Sequence, residues 1–285
     1  MELQTVSADS KRRRLPFFKM HGSGNDFILM DHREEFIPAL EQSRFAQQVC
    51  ARGVGVGADG LILIEDSSRA DFRWQFYNAD GSKAEMCGNG ARCAARFAVL
   101  SGIAQPRLTF ETLAGLISAE VLNHQVRVGM ADVGDFRLNL SIPLGEEGLV
   151  GHFMKVGVPH TVLLVDNLEE APVREWGREV RFHQMFQPAG TNVNFVGNQS
   201  PHVLELRTYE RGVEDETLAC GTGAVAAALI SAKLGKTASP AAVHTRGGET
   251  LVVTFHMHGD RITEVFLEGE ALVVYQGELW TDELK

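Results

Sequence analysis

The sequence says one short phrase twice. Residues 86–95 read MCGNGARCAA and residues 219–228 read ACGTGAVAAA. Aligned on cysteine, Cys87, Gly88, Gly90, Ala91, Ala94 and Ala95 recur as Cys220, Gly221, Gly223, Ala224, Ala227 and Ala228. The copies lie nearly half of the 285-residue chain apart, so the repeat implies two like halves. A tyrosine ends a strand-like stretch before each copy, DFRWQFY at 71–77 and VLELRTY at 203–209. After each cysteine a helical pattern runs on to a glycine, Gly102 or Gly235, placed to cap its C-terminus. The second helix, through AVAAALI, is apolar all round and is expected inside a core.

Short runs rich in Val, Ile, Phe and Thr surround these helices: 17–20, 27–30, 61–65, 107–112 and 116–122 before the midpoint, and 161–166, 192–196, 250–256, 262–268 and 271–276 after it. Further helices are expected at 41–50 and 174–185. The fold class is therefore α/β in the α+β sense, with two pseudo-symmetric domains, each a strand-rich sheet or barrel wrapped on a central helix. The expected divisions are a disordered tail over 1–15, an N-terminal domain over 16–133 and a C-terminal domain over 134–273. Residues 274–285 are open to rejoining the first domain.

With 44% apolar and 22% charged residues the chain is expected to be globular, and a formal charge of −10 speaks against nucleic acid or anionic lipid as partner. The most apolar later stretch, Ala224 to Ala232, is about half of the ~20 residues a membrane-spanning helix needs. No leader-like apolar run opens the chain, so a cytoplasmic location is expected, with the basic run from Lys11 to Arg14 read as a solvated tail. Four cysteines without a Cys-x-x-Cys pair are too sparse for a disulfide framework or a structural zinc site. The expectation is no metal and no cofactor.

A cysteine at the head of a helix sits where backbone N–H groups lack partners and the dipole favours negative charge, which stabilises a thiolate. The adjacent glycines open the same N–H groups to a carboxylate. Two such elements suit inversion at an amino-acid α-carbon: one thiolate removes the proton and the other thiol returns one to the opposite face. Cys50 and Cys93, outside the repeat context, read as inert buried residues. A nucleotide site is disfavoured because GNGARC lacks the third glycine of the dinucleotide fingerprint and no Gly-Lys-Ser/Thr follows. A cysteine hydrolase would leave the second cysteine unexplained, and a Cys87–Cys220 disulfide reads as oxidative damage.

At these motifs the chain resembles the diaminopimelate epimerase family. The likeness starts near residue 16 and rests on HGSGNDF (21–27), GVGVGADGLIL (53–63), NADGSKAEMCGNGARC (78–93), GVPH (157–160), GTNVNFV (190–196) and YERGVEDETLACGTG (209–223). The resemblance implies interconversion of LL- and meso-diaminopimelate, in lysine and peptidoglycan precursor synthesis, without metal or cofactor. It implies that Cys87 and Cys220 are the acid/base pair. Gly88, Asn89, Gly221 and Thr222 would hold the carboxylate and amino group at the reacting centre. Asn25, Asn78, Asn192, Glu210 and Arg211 would recognise the substrate, and His160 with Glu210 would tune the thiols. Read from the residues alone, Asn25 and Asn78 suit turns, Glu210–Arg211 a surface pair, and His160 a satisfied strand-start histidine. The partner implied is a small amino-acid substrate, and a homodimer is open to the chain.

Two positions depart from the family pattern. Val158 stands where an Asn usually precedes Pro-His, and Gly60 where some members carry a polar side chain. Val158 motivates a second reading, a related cysteine racemase for another amino acid. A third is a non-catalytic amino-acid-binding or redox-sensing protein on the same fold.

Overall fold

The computed structural model describes residues 14–130, 133–144, 148–259 and 261–280. The chain divides into two units, one formed by 14–21, 25–116 and 272–280, the other by 22–24 and the described part of 117–271.

The first unit contains β1 (Arg14–Gly22), β2 (Asn25–Asp31), α1 (Gln42–Cys50), β3 (Gly60–Glu65), β4 (Phe72–Asn78), α2 (Gly88–Leu100) and β5 (Arg107–Thr112). Strand β6 (Gly115–Leu122) carries the chain into the second unit. There follow β7 (Gln125–Gly129), β8 (Val133–Ile142), β9 (Leu149–Val156), β10 (Val158–Leu164), α3 (Val173–Phe182), a 3-10 turn (Gln184–Phe186), β11 (Asn192–Ser200), β12 (Val203–Glu210), β13 (Asp215–Thr217), α4 (Gly221–Lys233), β14 (Ala241–Thr245), β15 (Thr250–His258) and β16 (Arg261–Glu270). The last strand, β17 (Leu272–Trp280), belongs to the first unit and pairs antiparallel with β1.

The sequence repeat extends to the strand pairing. In the first unit β2 and β3 are parallel, β3 and β4 antiparallel, β4 and β5 parallel. In the second, β10 and β11 are parallel, β11 and β12 antiparallel, β12 and β14 parallel. Helix α2 lies against β2 and β3, which precede it; α4 lies against β9 to β12, which precede it, and against β14 and β15, which follow it.

Burial explains the composition of these elements. β3 reads GLILIE and is buried throughout, because Leu61 and Leu63 pack with Phe45, Ala46 and Val49 of α1 while Ile62 lies near Gly90 of α2. A strand covered on both faces has no reason to alternate. Every residue from Ala224 to Ile230 is at 0% exposure, so α4 needs an apolar side chain on every face. Both helices end in the same Schellman arrangement. Gly102 N donates to Val99 O and Ile103 N to Ala98 O; Gly235 N donates to Ala232 O and Lys236 N to Ser231 O. Both glycines have positive φ, 68° and 69°, the conformation such a cap requires.

By compactness the chain changes unit between Leu116 and Ile117, where β6 goes on to pair with β7 and β7 with β16. Two expectations differ from what is found. Of the tail expected over 1–15, residues 1–13 lie outside the described residues. Arg14 and Leu15 open β1 opposite Trp280 and Leu279, with Leu15 buried and Arg14 over the Trp280 ring. The helix expected over 174–185 ends at Phe182, where His183 turns extended before the 3-10 turn.

Candidate active site

Cys87 is the N-cap of α2. Its backbone is extended (φ −146°, ψ 121°) and its sulfur accepts from Gly90 N at 3.5 Å. The same sulfur lies 3.5 Å from Asn25 Oδ1, to which the thiol donates. Asn25 Nδ2 donates to Asp59 Oδ2 at 2.7 Å, and Arg52 joins Asp59 to Asp26. Buried Lys19 pairs with Asp26 at 2.8 Å and also donates to Gly57 O. Burial by itself raises the Asp26 carboxyl, but hydrogen bonds from Arg52 and Lys19 overcome it and hold it near about 2.

Cys220 is the N-cap of α4, again extended (φ −127°, ψ 107°), and is 6% exposed. Its sulfur lies 3.6 Å from Thr222 Oγ1. Beneath it lies a buried polar group that the sequence reading missed. Asn194 Nδ2 donates to Thr161 O at 3.1 Å and to His160 Nδ1 at 3.2 Å, while its Oδ1 accepts from Thr208 Oγ1 at 3.0 Å. Thr161 O can only accept, so the amide orientation is fixed and His160 Nδ1 must carry a lone pair. His160 is therefore the neutral Nε2–H tautomer. Complete burial pushes its pKa down to about 3, with nearby Arg211 acting in the same direction. The pattern Asn192-x-Asn194 in an otherwise apolar strand was the available signal: period two places both side chains on one face.

Asn192 Oδ1 accepts from Arg211 N at 2.7 Å, and Arg211 Nη1 donates to Ala189 O at 3.0 Å, so the loop after β12 is anchored to the start of β11. Burial raises the pKa of the Glu210 carboxyl. The remaining expected residues make local contacts. Asn78, exposed, donates to Ser82 Oγ, and Asn89 Oδ1 accepts from fully buried Arg92 in the first turns of α2. Gly88 and Gly221 are the first residues of α2 and α4. Val158 opens β10 opposite Val156. Gly60 has a packing reason: a Cβ there would lie 2.7 Å from Phe76 Cε2 and 2.8 Å from Tyr77 O. Cys50 is buried and its thiol is pushed up to about 12 by desolvation, in keeping with an inert residue. Among the described residues no group of three or more His, Cys, Asp or Glu side chains could hold a metal ion, and no helix is long and apolar enough to cross a membrane.

Two buried titratable groups set an acid limit on stability. His160 binds its proton far less readily folded than unfolded, so below about pH 6.5, the ordinary His value, the unfolded state takes up more protons and stability falls with pH. Glu65 is raised by burial, but hydrogen bonds from His32 and Gln75 and the charge of Arg73 bring it down to about 2. Its contribution is present above the ordinary Glu value near 4.5 and is lost as pH falls toward 2. Urea denaturation should show falling stability from pH 7 to pH 5 through His160, then a steeper fall below pH 4.5 as Glu65 adds to it. A flat profile between pH 7 and pH 5 would contradict the buried neutral imidazole.

The fold is shared with a hydroxyproline epimerase from Agrobacterium vitis, which superposes with a TM-score of 0.68 at 17% identity, covering 96% of this chain and 93% of that one. The family profile described as diaminopimelate epimerase matches residues 17–135 and 152–274. The diaminopimelate epimerase of Aquifex aeolicus is 46% identical over 95% of this chain and all of its own length. That of Chlorobaculum tepidum is 44% identical over 91% of this chain and 99% of its own. The chain belongs to the diaminopimelate epimerase family and is an isomerase.

Proposed function

We propose that this chain interconverts LL- and meso-diaminopimelate by a two-thiol mechanism, within lysine and peptidoglycan precursor synthesis. The observation that carries the reading is the matched pair of cysteines, each the N-cap of the repeated helix of its own unit. One thiolate takes the α-hydrogen as a proton: the C–H bond breaks, an S–H bond forms, and the electron pair stays on carbon. The other thiol gives its proton to the opposite face of that carbon and becomes the thiolate. Two sulfurs exchange roles in each turnover, and no net proton is consumed.

The helix N-termini supply the rest. Backbone N–H groups behind Gly88 and Gly221 are suited to a carboxylate and to the charge that develops on it as the α-carbon ionises. Arg211 suits a second carboxylate and Glu210 an ammonium, which is the requirement of a substrate with an amino-acid group at both ends. His160, fixed as an Nε2–H donor, enters as a hydrogen-bond donor rather than a base.

Turnover of LL-diaminopimelate against a panel of amino acids, proline and hydroxyproline included, tests the substrate. LL-diaminopimelate is expected to lead the panel. Turnover of another amino acid without activity on LL-diaminopimelate would support the reading motivated by Val158, a related racemase.

A further inference from the structure

Arg211 sits in the turn between β12 and β13, and α3 supports that hairpin from one side. The approach is close: a Cβ on Gly177 of α3 would lie 2.5 Å from Tyr209 Cβ. The Tyr209 hydroxyl donates to Glu214 O at 2.8 Å, and Glu214 N donates to Glu210 O at 2.8 Å, which closes the turn around Arg211, Gly212 and Val213. The turn is not relaxed. Gly212 has φ 95°, and Glu214, which carries a Cβ, has φ 59°. Glu214 Oε1 accepts from Gly212 N at 3.0 Å, so this side chain braces its own turn. Arg181 of α3 holds the brace. Its Nε and Nη2 both donate to Glu214 Oε1, at 3.2 and 3.0 Å. The Arg181 side chain is 13% exposed, and Glu214 Oε2 is buried without a hydrogen-bond partner. Among the described residues Arg181 is therefore the cation that compensates this carboxylate.

The third nitrogen of Arg181, Nη1, faces Gly190, where any Cβ would run into it. Gly190 follows Ala189, whose carbonyl accepts from Arg211 Nη1 at 3.0 Å, and Asn192 Oδ1 accepts from Arg211 N at 2.7 Å. One guanidinium thus touches both segments that grip Arg211: the turn that carries it and the 189–192 segment that takes its N–H groups. Tying Nη1 to a backbone carbonyl sets the plane of the Arg211 guanidinium, and forked binding of a carboxylate is strongest when that plane is set beforehand. We infer that Arg181 is a positioning residue for substrate recognition: paired with Glu214 and packed on Gly190, it pre-forms the Arg211 loop that receives the carboxylate remote from the reacting carbon. This role rests on the reading of Arg211 as the carboxylate-binding side chain and names the group that keeps it in place. The remote carboxylate makes the same contact in substrate and transition state, so loss of Arg181 weakens binding without slowing the proton transfers.

Two measurements on Arg181→Met test it. Hydrogen exchange followed by mass spectrometry, without substrate, should show the 211–214 amides exchanging about tenfold faster, the effect of losing one charge-assisted hydrogen bond, with α4 unchanged. Steady-state kinetics on LL-diaminopimelate should show KM raised about tenfold and kcat within about twofold of the unmodified chain. Arg174→Met is the control. Arg174 lies on the same helix but makes an exposed pair with Asp215 at 2.7 Å, the kind that contributes little, and its loss should move neither measurement. If Arg181→Met does not fold, Glu214→Gln keeps the side-chain shape, removes the charge and carries both measurements in the same direction. Unchanged exchange at 211–214 would overturn the inference. So would a fall in kcat at constant KM, or Arg174→Met as affected as Arg181→Met. Arg211→Gln separates this failure from that of the underlying reading. A raised KM there beside an unchanged KM in Arg181→Met overturns the role of Arg181 alone, whereas an unchanged KM there removes Arg211 from recognition. An unmodified chain that does not turn over LL-diaminopimelate would sink the substrate reading, and the exchange comparison would then decide by itself whether Arg181 holds the loop.

Discussion

Replacing Cys87 or Cys220 by Ser is expected to lower kcat/KM for epimerisation by roughly 10³-fold, while the chain stays folded. General acid–base groups contribute on the order of 10²–10⁴-fold, and a serine hydroxyl is too weak an acid to be the alkoxide at neutral pH. The two losses should not add. Each turnover needs both sulfurs, so the double variant should be about as poor as the worse single one, as for other groups that act as a unit. Stability should barely change, because Ser is a good N-cap and both cysteines are N-caps with extended backbones. Steady-state kinetics in both directions, beside urea denaturation of each variant, check this. Near-native activity in either single variant would reduce that cysteine to a structural cap.

Gly223→Ala should be nearly as damaging, for a different reason. A Cβ at Gly223 would lie 2.3 Å from Asn194 Oδ1 and 3.2 Å from Cys220 Sγ. Asn194 cannot retreat, since Thr161 O, Thr208 and His160 hold its amide. Either α4 moves or the buried amide breaks its bonds. Overpacking of this kind costs about 1–3 kcal/mol, and displacing a reacting group by an ångström costs on the order of 10²-fold in rate. Gly90→Ala at the matching position of α2 is the control. Its nearest neighbours would be Ile62 Cδ1 at 3.3 Å, Phe27 Cζ at 3.5 Å and Cys87 Cβ at 3.6 Å, distances that side-chain adjustment can absorb. The expected result is strong loss at Gly223 and a mild effect at Gly90, measured as kcat and as the urea midpoint. Equal effects at both would show that the contact at Asn194 does not constrain the helix.

Much of this was legible in the sequence because the repeat is local. The cysteine, its glycines, the small residues behind them and the capping glycine fall within sixteen residues of each other in each copy, and short-range patterns survive translation into structure. The strands that escaped notice have specific causes. β8 has positive φ at Asp135 and Asn139 and its register against β9 shifts on passing each of them, so its alternation is broken twice. β14 reads AAVHT and carries no aromatic or isoleucine to mark it. The pairing of β7 with β16, well over a hundred residues on, is something no local pattern reports. At the site, the cysteines announced themselves, whereas Asp59 and Asn194 did not. Each acts through another side chain, Asp59 through Asn25 and Asn194 through His160, and such relations appear only when the chain is folded.

The central claim is that two different sulfurs handle the proton on the two faces of one carbon. The most direct measurement is epimerisation of LL-diaminopimelate in heavy water, followed at early times by mass spectrometry of substrate and product separately. The account predicts that the meso product carries one α-deuterium from its first appearance, while the remaining LL pool stays protiated. Product that keeps the substrate's own hydrogen, or substrate that exchanges as fast as product forms, would mean that a single base serves both faces.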